Sequence, residues 1–473
     1  MNKIWNILNS KSGYKTFNIV GTGFFFFILF LKLVLPHAIG MADNGDYFRT
    51  MERIGLSHIS SNRGDIYFNY LVLHYSYHKH YAIPYTLSQV IGYFSLLFNN
   101  IFATNGVYNI LYMGFINIIL YTSVFYLFIA HVINRMQLQL FLKAFLVLLF
   151  SVILTDGMFT FYFNSFYQES ISLITIFLFV SYLLTKDISP TILLWMLFFI
   201  IISKIQNIAF FFLFPVIIFL YKKQLKKNII IFFIILFTFL IFYTAIDSTR
   251  FKIPNTYNSF FYGLVKNLDA KTSSLILQSA GLNYDNYKKY IGKGYWPAGV
   301  QLNKEEPSLY KKFYKNVTQF KIIKLYLFYP KTLINNLVLG LKELSSHSAK
   351  INYIGNLTKV ESVKNSRTFL DTLLGNTLNN IFPYIYIFSL IISVFSLKKG
   401  IENISSTERA ILLLTFVVPF IFVINIAGDG FYEFVKHSLS LYFVIILLLI
   451  CNILYAINKI TVAIPSSSQY GFS

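Results

Sequence analysis

Charge is scarce in this chain. Only 12% of its 473 residues are Asp, Glu, Lys or Arg, against roughly 25% in soluble proteins, and this excludes a soluble protein of two or three domains. Cysteine is nearly absent. A lone Cys451 rules out a disulfide framework within the chain and a thiolate zinc or iron–sulfur site. There is no Walker loop and no GxGxxG feeding a helix, so no nucleotide site is legible. There is no internal repeat and no Pro/Gly-rich linker. Acids are fewer than bases, 19 against 40, for a net charge of +21.

Apolar side chains are abundant: 56% of the residues are hydrophobic, and Phe and Tyr number 52 and 35. They gather in long runs almost free of charge. Such a chain is a polytopic membrane protein. Its basic excess then reads as flanks that orient the spans and meet anionic headgroups, and no nucleic-acid partner is expected.

About 20 apolar residues make one crossing. Phe17–Pro36 is the first, expected to stay as an anchor because no small-residue cleavage site follows. Tyr85–Ala103, interrupted by Ser88, Gln89, Asn99 and Asn100, reads as an interfacial helix. Further spans are expected at Val107–Ile133, Leu140–Thr155, Ser170–Leu184, Thr191–Ile202, Ile208–Tyr221, Ile229–Ile246, Ile381–Leu397, Ala410–Ala427 and Phe434–Ile457. The expected fold is thus all-α, with about ten transmembrane helices, juxtamembrane helices and a small, mostly helical outer domain. The expected modules are residues 1–246, 247–377 (including a helical patch at Leu325–Leu341) and 378–473. With the N-terminus inside, 14 Lys and Arg flank the inner ends. Six lie on short outer loops: Arg49, Arg53, Arg63, Lys79, Lys204 and Lys436. That bias predicts both termini in the cytoplasm.

Polar residues at the edge of the bilayer are the informative ones. Four clusters fall on the outer side. Asp43-Asn44-Gly45-Asp46, with Arg49 after it, puts two carboxylates on one face of a helical start. Asn and Asp also cap helices, so the same run reads as an N-cap. Asp156 and, after Asn164-Ser165, Glu169 border the next cluster, where Glu169 also suits the positive end of a helix. Lys204-Ile205-Gln206-Asn207 sits at the tip of a hairpin and is poor turn sequence. Asp429, Glu433, Lys436 and His437 form the fourth, which also reads as a tight turn with helical pairing of Glu433 to Lys436 and His437. One outer cavity accounts for all four. Its carboxylates suit a general base, or oxygen ligands for a divalent cation such as Mg or Mn; its cations suit a phosphate leaving group. Together they describe glycosyl transfer from a lipid-phosphate-linked sugar.

At this point the residues resemble the GT-C superfamily of integral-membrane glycosyltransferases, in which an acidic motif occupies the first outer loop and juxtamembrane helices follow. More narrowly, the runs at residues 42–46, 163–169 and 203–207 and the pair Lys436-His437 look like bacterial surface-glycan hexose transferases of the WsfD-like kind. The resemblance implies a hexosyltransferase of the bacterial cytoplasmic membrane. It would take a polyprenyl-phosphate-linked sugar as donor and a glycan or lipid-linked molecule as acceptor. It implies Asp43 as general base, with Asp46 orienting it or exchanging roles with it, and Glu169 beside them. Arg49, Lys204 and Lys436 would meet the donor phosphate, and Asp156, Gln206, Asn207, Glu433 and His437 would touch substrate. The acidic spacing is not Asp-x-Asp or Glu-x-Asp, which leaves the metal open. The alternatives are a polysaccharide polymerase, expected to rely on outer Arg, and a lipid-linked glycan flippase or transporter, expected to carry ionisable residues at mid-membrane.

Overall fold

A computed structural model describes residues 11–35, 38–43, 45–59, 73–78, 82–103, 106–186, 188–221, 231–232, 234–236, 238–239, 252–346, 354–356 and 375–463. The principal helices are α1 (Lys11–Leu33), α2 (Leu87–Phe102), α3 (Leu111–Phe128), α4 (Leu140–Leu154), α5 (Glu169–Leu183), α6 (Pro190–Ser203) and α7 (Leu213–Tyr221). After a segment of shorter helices come α8 (Gln319–Phe328), α9 (Pro330–Ser346), α10 (Gly375–Lys398), α11 (Ser406–Asp429) and α12 (Leu439–Ala463).

Among the described residues, five helices are long and apolar enough to cross a bilayer: Gly13–Leu33, Leu111–Ile133, Ile381–Lys398, Ser406–Asp429 and Leu439–Thr461. Five more apolar helices, Leu87–Phe102, Leu140–Leu154, Glu169–Leu183, Pro190–Ser203 and Ile205–Tyr221, have only 10–17 residues. The span expected at Ile229–Ile246 lies mostly outside the described residues. The stretch expected as one span over Phe434–Ile457 is instead a short helix, Phe434–His437, followed by α12. Likewise Leu325–Leu341 is two helices, because Pro330 has no N–H to continue α8 and starts α9 at its first position.

The helices pack through their apolar faces. α1 lies on α3, α3 on α5, α5 on α6 and α12, and α11 on both α10 and α12. Phe25 of α1 stacks on Phe125 of α3 with ring centroids 4.0 Å apart. The opposite faces stay exposed and apolar, as at Ile387, Phe388, Ile391 and Phe395 of α10, which is the pattern of a lipid-facing helix. Two helices open with reciprocal capping boxes, Thr86 with Gln89 on α2 and Ser405 with Glu408 on α11.

The all-α expectation needs correction, because short strands occur between α1 and α3 and again before α10. β1 (Ile39–Met41) pairs antiparallel with β5 (Ile354–Asn356). β2 (Leu56–His58), β3 (His74–Tyr77) and β4 (Tyr108–Asn109) form a three-stranded antiparallel sheet. These strands hold two to four residues each, too few to show an alternating pattern.

Asn164 ties the loop holding β1 to the one that precedes α5. Its buried Nδ2 donates to the carbonyls of Leu33 at 2.7 Å and Ile39 at 2.8 Å. A β-carbon on Gly40 would lie 2.4 Å from the Asn164 carbonyl, and one on Gly114 1.7 Å from its Oδ1. Only glycine fits at either place. Met41 N–H donates to the Phe161 carbonyl at 3.0 Å, and Tyr167 Oη–H to that of Ala42 at 2.9 Å.

Candidate functional site

Beyond β1 the backbone is extended through Asp43, turns at Gly45 (φ +101°) and enters a single 3-10 turn, Tyr47–Arg49. The expected shared helical face for Asp43 and Asp46 therefore does not form, and Asp46 makes no side-chain cap bond. Asp43 Oδ1 accepts from the N–H groups of Gly45 at 2.7 Å and Tyr47 at 3.1 Å, and its Oδ2 lies 3.0 Å from His58 Nε2. The carboxylate at Asp43 thus shapes the turn and anchors it to β2. The turn presents Asp46, not Asp43, to a small, partly open hollow lined by Asp46, Arg49, Tyr167, Gln168, Glu169, Lys204, Gln206 and His437.

The other lining residues reach the hollow from the ends and breaks of helices. Glu169 is the first residue of α5. Lys204 is extended, the one residue between α6 and the 3-10 turns Ile205–Phe212. The short helix Phe434–His437 begins after Glu433, held at φ +46°. These breaks bring together charges that are far apart in sequence. Lys204 Nζ donates to Glu169 Oε1 at 2.9 Å, with both side chains no more than 5% exposed. Lys436 bonds Asp46, lies 3.2 Å from Glu433 Oε2 and rests 4.6 Å from the centroid of the Tyr167 ring. Arg49 Nη2 is 3.7 Å from Asp46 Oδ1.

The electrostatics follow from this crowding. Burial alone would raise the Asp46 carboxyl, but Lys436 and Arg49 outweigh it and hold the group well below the usual carboxylate range. Burial alone would lower Lys436, but Asp46, Glu433 and Glu169 together hold it above the usual lysine value. His437 is pushed well below its usual value, first by burial and then by Lys204 and Lys436, and is neutral at pH 7. It receives a hydrogen bond at Nδ1 from Gln206 Nε2 at 3.4 Å, and its Nε2 lies 3.2 Å from Asp429 Oδ2. Asp429 Oδ1 accepts in turn from Asn258 Nδ2 at 2.9 Å.

The remaining candidates lie elsewhere. Asp156 is fully buried and caps the helical turn Gly157–Thr160, accepting from Met158 N–H at 2.9 Å. Asn207 is consumed by packing. It donates to Ser172, Ser203 and the Ile200 carbonyl and accepts from Ser440. Glu433 and Lys436 stand one layer behind the lining, paired to each other as helical spacing anticipates, while His437 pairs with Asp429 rather than with Glu433. His58 and Asn258 escaped the reading of the sequence, while Gln168 and Asp429 stood in runs it singled out but received no role there. Asp429 is flanked by two glycines and reads as a turn, and nothing around His58 or Asn258 sets them apart.

Two lining residues carry unused acceptors: the amide oxygens Gln168 Oε1 and Gln206 Oε1 are buried without a hydrogen-bond partner. Buried ion pairs contribute little net stability compared with apolar packing. A cavity of paired charges and spare acceptors is suited to a polar ligand that brings hydrogen-bond donors such as hydroxyl groups. No three His, Cys, Asp or Glu converge among the described residues, and Asp46 and Glu169 already hold cationic side chains.

The fold and cavity define a helical, polytopic membrane protein with an ion-paired polar site between its helices. The sequence model of the YfdI N-terminal transmembrane domain matches residues 5–468, and the chain belongs to that family. No curated protein and no solved structure matches it.

Proposed function

We propose that this protein is a membrane glycosyltransferase of the GT-C type that moves a sugar, a hexose by its motif resemblance, from a polyprenyl-phosphate donor to a cell-surface glycan or lipid-linked acceptor on the outer face of the bacterial cytoplasmic membrane. Membership of the YfdI family supports a membrane glycosyltransferase-like protein. The observation that carries the reading furthest is the meeting of Asp46, Glu169, Lys204 and His437, from four separate loops, around one hollow.

In this reading Lys204, Arg49 and Lys436 receive the donor phosphate and stabilise the charge it gains as the bond to the sugar breaks. Asp46 is the general base, in the exchanged assignment, because it faces the hollow while Asp43 is engaged through Oδ1 in the turn and through Oδ2 with His58. Phosphate binding draws Lys436 and Arg49 away from Asp46, and burial then raises the proton affinity of the carboxylate just when a hydroxyl must be deprotonated. Gln168 and Gln206 offer acceptors to sugar hydroxyls.

The test is transfer of labelled hexose from a polyprenyl-phosphate donor in membranes carrying the protein. Asp46→Asn is expected to lower the rate by about 100-fold or more at unchanged protein level, and Lys204→Met to weaken donor use. Wild-type protein that binds the donor lipid and moves it across the bilayer without transferring sugar would replace this reading with a transporter.

A further inference from the structure

Helices α8 and α9 carry apolar side chains on the faces they turn outward as well as on the faces they bury. The exposed face of α8 carries Phe320, Ile323, Leu327 and Phe328, at 77%, 47%, 74% and 67% exposure. Phe320, Ile323 and Leu327 follow the three- and four-residue spacing of one helical stripe. The exposed face of α9 repeats the pattern with Ile334, Val338 and Leu341. Its inward side carries Thr332, Asn336 and Gly340 beside the partly buried Leu333 and Leu337: Asn336 donates to the Gly263 carbonyl at 2.9 Å and to Tyr326 Oη at 3.1 Å. Lys324, Lys331 and Lys342 are exposed beside the apolar stripes. Neither helix is among those long and apolar enough to cross a bilayer.

We propose that α8 and α9 lie in the outer membrane–water interface, with their apolar faces in lipid and their lysines among headgroup phosphates. An apolar stripe edged by lysine is what an in-plane interfacial helix requires. The occupant follows from continuity. α9 packs against α10 and α11, and α8 against α11, and α10 turns an exposed apolar face outward. The lipid that covers α10 therefore extends over its neighbours. α9 also packs on the short helix Phe434–His437, where a β-carbon on Gly340 would meet Phe434 at 3.1 Å. The interfacial pair thus fixes the depth of Lys436 and His437 at the headgroups. This placement does not rest on the glycosyltransferase reading.

The experiment uses the full chain with Cys451→Ser, which leaves it free of cysteine. Nitroxide labels are placed at Leu327→Cys, at Val338→Cys and, as a water-facing control, at Lys312→Cys. The protein is reconstituted in mixed phosphatidylethanolamine and phosphatidylglycerol vesicles. Collision rates with oxygen and with a water-soluble nickel chelate report depth. Oxygen is expected to dominate at 327 and 338 and the chelate at 312. Dominance of the chelate at 327 and 338 would overturn the placement, and so would low access to both agents, which would mean a protein surface covers the face. Wild-type elution on size exclusion qualifies each variant as folded.

Discussion

The Lys204–Glu169 pair allows its energetic and chemical roles to be separated. Both side chains are almost completely buried, and the bond between them is 2.9 Å. Lys204→Met keeps the length of the side chain but leaves Glu169 as a buried carboxylate without its nearest cation. Breaking one side of such a pair typically costs about 3–5 kcal/mol. Adding Glu169→Gln removes the uncompensated charge, and because replacing both partners of a buried pair is often close to neutral, most of that loss should return. The chain carries its own reporter, since Cys451 is the one thiol and is fully buried in α12. A dye that fluoresces on reaction with thiols therefore follows unfolding in detergent. The expected order of stability is wild type close to the double variant, with Lys204→Met well below both. Sugar transfer should follow a different order, low in both variants, because neither retains the cation for the phosphate. A double variant as unstable as Lys204→Met, or a single variant as stable as wild type, would refute the reasoning from burial.

Further outcomes follow from the same geometry. Asp43→Asn should keep the turn contacts to Gly45 and Tyr47 but weaken the bond to His58, lowering transfer less than Asp46→Asn does; equal losses would return the base role to Asp43. Gly114→Ala should displace Asn164 from its two carbonyls and cost about 1–3 kcal/mol, measured by the same thiol assay. Asp46 is held below the usual carboxylate range, so its stabilising contribution is present above about pH 4 and is lost as pH falls through its folded value. Lys436 is held above the usual lysine value, so its contribution is present below about pH 10 and is lost as pH rises further. Unfolding at low pH should accordingly lose its sensitivity to Lys436→Met. A cysteine placed at Asp285 in the Cys451→Ala background should react with an impermeant reagent in intact cells, as the count of basic residues in the loops requires.

The five helices long enough to cross a bilayer, such as Leu111–Ile133, were legible in the sequence because their runs are apolar for longer than any soluble helix needs. The four polar clusters were legible for the converse reason, since charge at the edge of such runs is costly to keep. What could not be read was which side chain turns where. Asp43 and Asp46 are three residues apart, and a backbone turn at Gly45 decides that only Asp46 lines the hollow. Asn207 looks as functional as Lys204 until its bonds to Ser172, Ser203 and Ser440 are seen. The partnership of Asp43 with His58 is made by a strand of three residues, too short to leave a periodic trace. The outward apolar faces of α8 and α9 are hidden in a segment whose average polarity resembles that of an ordinary soluble domain.

Asp46 and Lys436 are 390 residues apart in the chain, whereas Lys204 and Glu169 are 35 apart. A ribosome feeding the membrane from the N-terminus therefore delivers the two pairs at very different times. The inner pair can close once α6 has emerged, but Asp46 must wait through most of translation for its lysine. Until the last helix hairpin is inserted, the nascent protein has only half of its charged cavity. A chain that stalls before Lys436 leaves Asp46 with Arg49 as the cation three residues away.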